Sequence, residues 1–276
     1  MTLLLYKYMI YFKPPLPFNG NKYMWRDKFK DLIKNIIGDY IFVDLFGGSG
    51  LLSNWIHYYK PKSKVIYNDY DHYKDRCDMI PITNKIFGHL RGIVSKYEYG
   101  KKINENDSKQ IIDYINTYEQ YDDITIESAL TFNGRARLNR GLLWNKVPQK
   151  EYTCVGYFDG IDIVSMDWKD LYNDVINKYE HDKLIFILDP PYLYSDKTNY
   201  QMYHFKLHHT LELIEIMKHY KYMLFNGKES EFNKIVDILN KLYEDTEKIE
   251  YEIIYNKMVD FTHSGKDKYD FLMYNL

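Results

Sequence analysis

Residues 184–188, Leu-Ile-Phe-Ile-Leu, form an unbroken apolar run that stops at Asp189-Pro190-Pro191-Tyr192. A short apolar run of branched and aromatic residues, bounded by breakers, predicts a buried strand. Proline has no backbone N–H and cannot continue a sheet ladder, so the strand ends at the acid. The consequence is a rigid ledge carrying a carboxylate and an aromatic ring at one edge of a sheet, suited to a flat polar molecule.

The same device recurs along the chain. Residues 41–45 lead into Asp44-Leu45-Phe46-Gly47-Gly48-Ser49-Gly50, after which Leu51, Leu52, Trp55 and Ile56 begin a helical pattern. Residues 64–67 read as a strand ending at Asn68-Asp69, and 161–166 as one ending at Asp167-Trp168, followed by a helix toward Tyr179. A Pro/Gly/Asn loop at 14–22 precedes a helix marked by Phe29, Leu32, Ile33 and Ile36 and stopped by Gly38. Later come a helix at 211–217, a strand at 222–225, and an amphipathic helix with Phe232, Ile235, Val236, Leu239 and Leu242. Two strands near 250–255 and 269–274 close the chain around a polar loop at 263–268. Alternating strands and helices with a terminal strand pair predict an α/β fold, a doubly wound and mostly parallel sheet with an antiparallel C-terminal edge. The stretch from 73 to 131 is mainly helical and polar, which predicts a helical insertion. Residues 1–72 and 155–276 then form the sheet domain and 73–154 the inserted one.

A chain of 276 residues accommodates a large α/β domain with such an insertion. With 37 basic and 39 acidic residues the net charge is −2, which excludes a polycation, so any nucleic-acid contact needs a local positive surface. Residues 133–150 supply one: Arg135, Arg137, Arg140, Lys146 and Lys150 without an acid. Cys77 and Cys154 lack zinc-ligand or disulfide-framework spacing and fit a reducing compartment. The apolar start, 3–12, is interrupted by Lys7 and is about half a membrane span, so it reads as an opening strand or core segment of a cytoplasmic protein. His204, His208 and His209 lack a matching carboxylate or cysteine set and read as helix-start or DNA-facing residues, not metal ligands.

In doubly wound sheets, ligands sit outside the carboxyl ends of the strands. Asp44, Asp69, Asp167 and Asp189 are all delivered to that edge. Asp69 follows Asp44 by 25 positions, near the roughly 20-residue offset at which an acid meets a ribose in nucleotide-binding units. Gly47, Gly48 and Gly50 let backbone approach a ligand closely, and acids around them disfavour a pyrophosphate and favour hydroxyls and an ammonium. Taken singly, the glycines read as a tight turn, Asp167 as a helix cap and the basic run as a solvated loop. Together, four strand-end acids, one of them beside a glycine turn, define a crevice.

Pro17-Phe18-Asn19-Gly20-Asn21-Lys22, the Asp44–Gly50 turn, Asn68-Asp69, Asp167-Trp168 and Asp189-Pro190-Pro191-Tyr192 occur in an order that resembles the Dam-like DNA adenine-N6 methyltransferases. These are class I S-adenosylmethionine-dependent amino-methyltransferases of the α motif order. The motifs span nearly the whole chain, while residues 75–155 match only in length and general character. The family often has two glycines before the lysine; this chain has Gly20-Asn21, and asparagine tolerates left-handed backbone. The resemblance implies the class I methyltransferase fold, a target-recognition insertion at 73–154, S-adenosylmethionine as cofactor and double-stranded DNA as partner, without a metal or membrane, in a monomer or weak dimer. It implies that Asp69 receives the ribose hydroxyls and that Asp167 and Trp168 face the cofactor's adenine. Asp44, Phe46, Gly47, Gly48 and Gly50 would shape the methionine pocket, with Phe18 and Lys22 closing over it. Asp189, Pro190, Pro191 and Tyr192 would hold the target base. Asn133, Arg135, Arg137, Asn139, Arg140 and Lys146 would meet DNA, with Asn145 a further candidate base reader. Transfer to cytosine N4 or to an RNA adenine, and a DNA-binding protein that keeps the fold without turnover, remain alternatives. The loop at 194–203 reads equally as a cover for the base or a surface connection.

Overall fold

The computed structural model describes residues 10–131, 143–191, 205–227, 232–242, 248–258 and 268–276. In chain order the elements are α1 (Arg26–Asn35), β1 (Ile41–Asp44), α2 (Leu51–Tyr59), β2 (Lys64–Asn68), α3 (Tyr73–Asp78), α4 (Ile80–Val94), α5 (Glu105–Ile115) and α6 (Asp123–Leu130). They continue as β3 (Asp162–Val164), α7 (Trp168–Lys178), β4 (Leu184–Leu188), α8 (Leu207–His219), β5 (Lys221–Gly227), α9 (Phe232–Leu242), β6 (Glu252–Met258) and β7 (Lys268–Asn275). Two compact units result: Pro14–Phe18 with His72–Tyr157, and Ile10–Lys13 with Asn19–Asp71 and Phe158–Leu276.

The second unit holds a seven-stranded sheet in the order β3-β2-β1-β4-β5-β7-β6. β1 pairs in parallel with both β2 and β4, so the strand order reverses between β1 and β4, and the crevice of a doubly wound sheet opens at that reversal. β7 runs antiparallel to β5 and β6, giving the antiparallel edge expected from the terminal strand pair. The fold is α/β, a doubly wound and mostly parallel sheet with an antiparallel C-terminal edge. Every residue of β4 is buried, because helices cover both faces of a parallel sheet, and Val43, Phe186, Leu188, Leu224 and Met273 share one core with Leu171, Val175 and Leu213.

Three details depart from expectation. β3 spans only three residues, with Ile163 37% exposed, because it is an edge strand and buries little. Leu242 is 74% exposed while Phe232 and Val236 are buried, so the packed face of α9 ends a turn earlier than its apolar spacing suggests. Ile10–Phe12 form no strand; Tyr11 is buried and its carbonyl accepts a bond from Trp55 Nε1 at 2.7 Å, while residues 3–9 lie outside the described residues.

The helical unit has a core of its own, with Ile86, Phe87, Leu90 and Val94 of α4 against Ile111, Ile115, Ile126 and Leu130. Asn104 caps α5 by accepting from Asp107 N at 2.9 Å, and Asp122 caps α6 by accepting from Thr125 N at 3.2 Å. Caps of this kind contribute about 1 kcal/mol each. Arg76 is tied to Asp122, to Thr125 Oγ1 and to the Pro17 carbonyl, at 2.9, 3.1 and 2.9 Å.

Candidate active site

Asp44 is the last residue of β1, Asp69 and Asp189 directly follow β2 and β4, and Asp167 lies three residues past β3. All four therefore reach the carboxyl edge of the sheet. Asn68 sets their spacing: its Nδ2 donates to the carbonyls of Leu45 (3.1 Å) and Met166 (3.0 Å), and its Oδ1 accepts from Met166 N (3.1 Å). One buried amide thus ties together the segments that follow β1, β2 and β3.

Asp44 is 1% exposed. Its Oδ2 accepts from Ser53 Oγ at 2.8 Å, while its Oδ1 has no hydrogen-bond partner among the described residues. Burial pushes its carboxyl up to about 7, against the opposing pull of the Ser53 hydroxyl, and the Asp189 charge pushes it further. Across the strand reversal, Asp189 Oδ2 sits 2.6 Å from Lys22 Nζ, both side chains largely shielded. Burial raises the Asp189 carboxyl above the usual carboxylate range, and the Lys22 ammonium pulls it back. Lys22 Nζ also donates to the Gly20 carbonyl at 2.8 Å and lies over the Phe225 ring. In this loop the left-handed residue is Gly20, at φ 79°; Asn21 takes no left-handed conformation and instead accepts from Tyr23 N. Pro190 is buried, and Tyr192 lies outside the described residues.

The glycine turn is shaped by the protein's own ring. A Cβ on Gly47 would lie 2.2 Å from two carbons of Tyr67, and Gly50 adopts φ 71° where α2 begins. Gly48 follows the same left-handed course, and Phe46 packs its ring against Trp168 at 5.6 Å and Phe205 at 6.1 Å. Trp168 is 4% exposed, within the apolar core, and Asp167 caps α7 by accepting from Lys169 N at 2.8 Å. His209 Nδ1 accepts from Lys206 N at 3.1 Å and so caps the start of α8. No group of three metal-ligating side chains occurs among the described residues, and no described helix is long and apolar enough to cross a membrane.

No family model matches the chain. A Haemophilus influenzae protein named "Putative methyltransferase" is 35% identical over 244 residues, 82% of this chain and 80% of that protein. The chain belongs to this methyltransferase family. Among solved structures, the precorrin-6y C5,15-methyltransferase of Geobacter metallireducens is similar over 94% of both chains at 10% identity and TM-score 0.38. The N-terminal domain of human METTL16 in complex with SAH is similar over 91% of this chain and 68% of its own at 11% identity and TM-score 0.39. At that overlap nothing of theirs is carried to this methyltransferase.

Other expected residues fall elsewhere. Phe18 belongs to the helical unit, its ring edge-on to Tyr73 at 5.6 Å. Asn133, Arg135, Arg137, Asn139 and Arg140 lie outside the described residues. Lys146 Nζ donates to the Thr131 carbonyl at 2.9 Å. Asn145, expected to read bases, is instead 5% exposed with its amide on the Tyr97 carbonyl, a tie within the helical unit.

Three residues of the candidate site carry no local signal in the sequence: Ser53, Tyr67 and Asp270. Asp270 pairs with Gly227 at the carboxyl end of β5. Burial pushes its carboxyl up to about 6, the Lys22 ammonium pulls it down and the Asp189 charge pushes it up. Its signal is one of topology: an antiparallel strand brings its first residues, not its last, to the edge where parallel strands end.

Proposed function

We propose that this methyltransferase transfers a methyl group from S-adenosylmethionine to the N6 amino group of an adenine flipped out of duplex DNA. The observation that carries the reading is the Asp189 carboxylate, ending a buried strand at the sheet's reversal and held 2.6 Å from a buried lysine. The donor set suits the cofactor. The edge is acidic, which fits ribose hydroxyls and an ammonium group and repels a pyrophosphate. Asp44 Oδ1, buried and unmatched among the described residues, is an acceptor suited to an ammonium, and Asp69 is the acid for the ribose diol. When bound, S-adenosylmethionine supplies a methyl group on a sulfonium.

The chain's own residues then do the following. An adenine amino nitrogen is a poor nucleophile, because its lone pair is delocalised into the ring. Asp189 and the Pro190 carbonyl accept its two N–H bonds, which favours a pyramidal nitrogen with the lone pair directed at the methyl. The Lys22 ammonium keeps Asp189 in the accepting, ionised form despite burial. That carboxylate, made more basic by burial, receives the proton shed by the methylated nitrogen. Tyr192 stacks on the base, a contact worth about 1–3 kcal/mol. The base must leave the helix for this geometry to form, and fixing its amino nitrogen against the donor methyl would supply much of the acceleration. The basic run at 133–150 meets the duplex.

The test is incubation with labelled S-adenosylmethionine and unmethylated duplexes of varied sequence, followed by nucleoside analysis. N6-methyladenine is expected. N4-methylcytosine, label in RNA alone, or no transfer to any duplex would overturn the reading.

A further inference from the structure

Tyr67, the fourth residue of β2, is fully buried, and both faces of its ring are fixed. One side fills the space at the glycine turn, where a Gly47 Cβ would stand 2.2 Å from the ring and a Gly50 Cβ 3.2 Å from its Cζ. Phe158 stacks on the ring with centroids 5.7 Å apart and planes 16° from parallel. The ring has no alternative orientation, so its hydroxyl is aimed. That hydroxyl lies 2.8 Å from the Gly48 carbonyl oxygen and 2.8 Å from Asp69 Oδ1. A phenol has a single proton, while a carbonyl oxygen and a carboxylate only accept. One proton is therefore shared between the turn and the acid, and neither can shift without the other.

We propose that Tyr67 is a positioning residue for the cofactor: its hydroxyl fixes the Asp69 carboxylate against the glycine turn, so that recognition of an intact ribose depends on it. The inference rests on Asp69 being the ribose acid. Ribose hydroxyls would donate to Asp69 while the Tyr67 hydroxyl keeps donating to Oδ1 and holds the carboxylate against the turn. No covalent bond is broken, and the acid and the turn respond to the ligand as one body. Gly47 and Gly50 are then required by Tyr67 and Phe158, and the ligand reads the turn through that ring.

The experiment is calorimetric titration of the full chain with S-adenosylhomocysteine and with its 2′,3′-dideoxyribose analogue, in wild type and in Tyr67→Phe, which keeps the ring and removes only the hydroxyl. Tyr67→Phe is expected to bind S-adenosylhomocysteine about tenfold more weakly, the scale of one hydrogen bond to a charged group. The penalty for deleting the ribose hydroxyls should shrink in the same variant. A purely structural role would lower the melting temperature and leave that penalty unchanged, which overturns the proposal while Asp69 stands as the ribose acid. Wild type that binds both ligands equally, or neither, overturns the proposal together with the reading beneath it. If Tyr67→Phe does not fold, 3-fluorotyrosine at position 67 strengthens the donor on the same ring. A larger penalty is then expected, and an unchanged one overturns the proposal.

Discussion

Each unit buries charge, and the two do it differently. In the helical unit Arg76 and Asp122 meet one to one: the guanidinium places Nε and Nη2 on the carboxylate, Nη2 also reaches Thr125 Oγ1 and Pro17 O, and Asp122 caps α6 as well. At the carboxyl edge of the sheet one buried ammonium among the described residues, Lys22, faces three acids, Asp44, Asp189 and Asp270, and burial raises the proton affinity of all three. A matched buried pair holds an architecture in place, because nothing further can be gained from a ligand. An overloaded edge stores unmet electrostatic demand, which a cationic or hydrogen-donating ligand relieves. The imbalance, and not burial as such, separates site from scaffold.

The comparison can be broken most sharply at Asp189. Asp189→Ala should lower the rate of methyl transfer about a thousandfold, on the scale of removing one preorganised electrostatic group, with cofactor affinity measured by calorimetry little changed. A variant within tenfold of wild type would remove Asp189 from the chemistry. Next in size is Arg76→Ala, which leaves Asp122 buried without its partner; a loss of about 3–5 kcal/mol in urea unfolding is expected. A loss under 1 kcal/mol would mean that the helical unit's pair is not matched in the sense argued.

Asp44→Asn sharpens the contrast through pH. The Asp44 carboxyl is pushed up to about 7 from an ordinary 3.8, so the folded state holds this proton more tightly than the unfolded one. The resulting stabilisation is complete below the ordinary value and is lost as pH rises to about 7. The stability of Asp44→Asn relative to wild type should therefore climb between those limits and level off above them. A difference that stays flat with pH would contradict the buried proton. The smallest effect is expected at Asp270: in Asp189→Asn the negative charge that pushes the Asp270 carboxyl up is gone, so its titration, followed by NMR, should move down from about 6. An unmoved titration would show that Asp189 does not act on Asp270.

Much of this was legible because backbone chemistry is local. Proline after Asp189 fixes the end of a strand, glycines at 47, 48 and 50 mark a turn, and the alternation of apolar runs specifies parallel pairing whatever the partner. The helices between 73 and 131 are legible from polarity and spacing, while the caps at Asn104 and Asp122 emerge only with the fold. Their neighbours in sequence mark Trp168 as ligand-facing and Asn145 as base-facing, but burial in the core and on the Tyr97 carbonyl is a property of packing that neighbours do not carry.

By itself the sequence determined that Asp44, Asp69, Asp167 and Asp189 stand at the sheet's carboxyl edge, since the ends of parallel strands follow from local patterns. Only the tertiary structure decided how they are charged and held. Lys22 comes from a loop before α1, Asp270 from an antiparallel strand at the far end of the chain and Tyr67 from an inward-facing position on β2. Their meeting depends on long-range pairing and close packing, and the electrostatics of a carboxylate depends on every group that packing brings within a few ångströms.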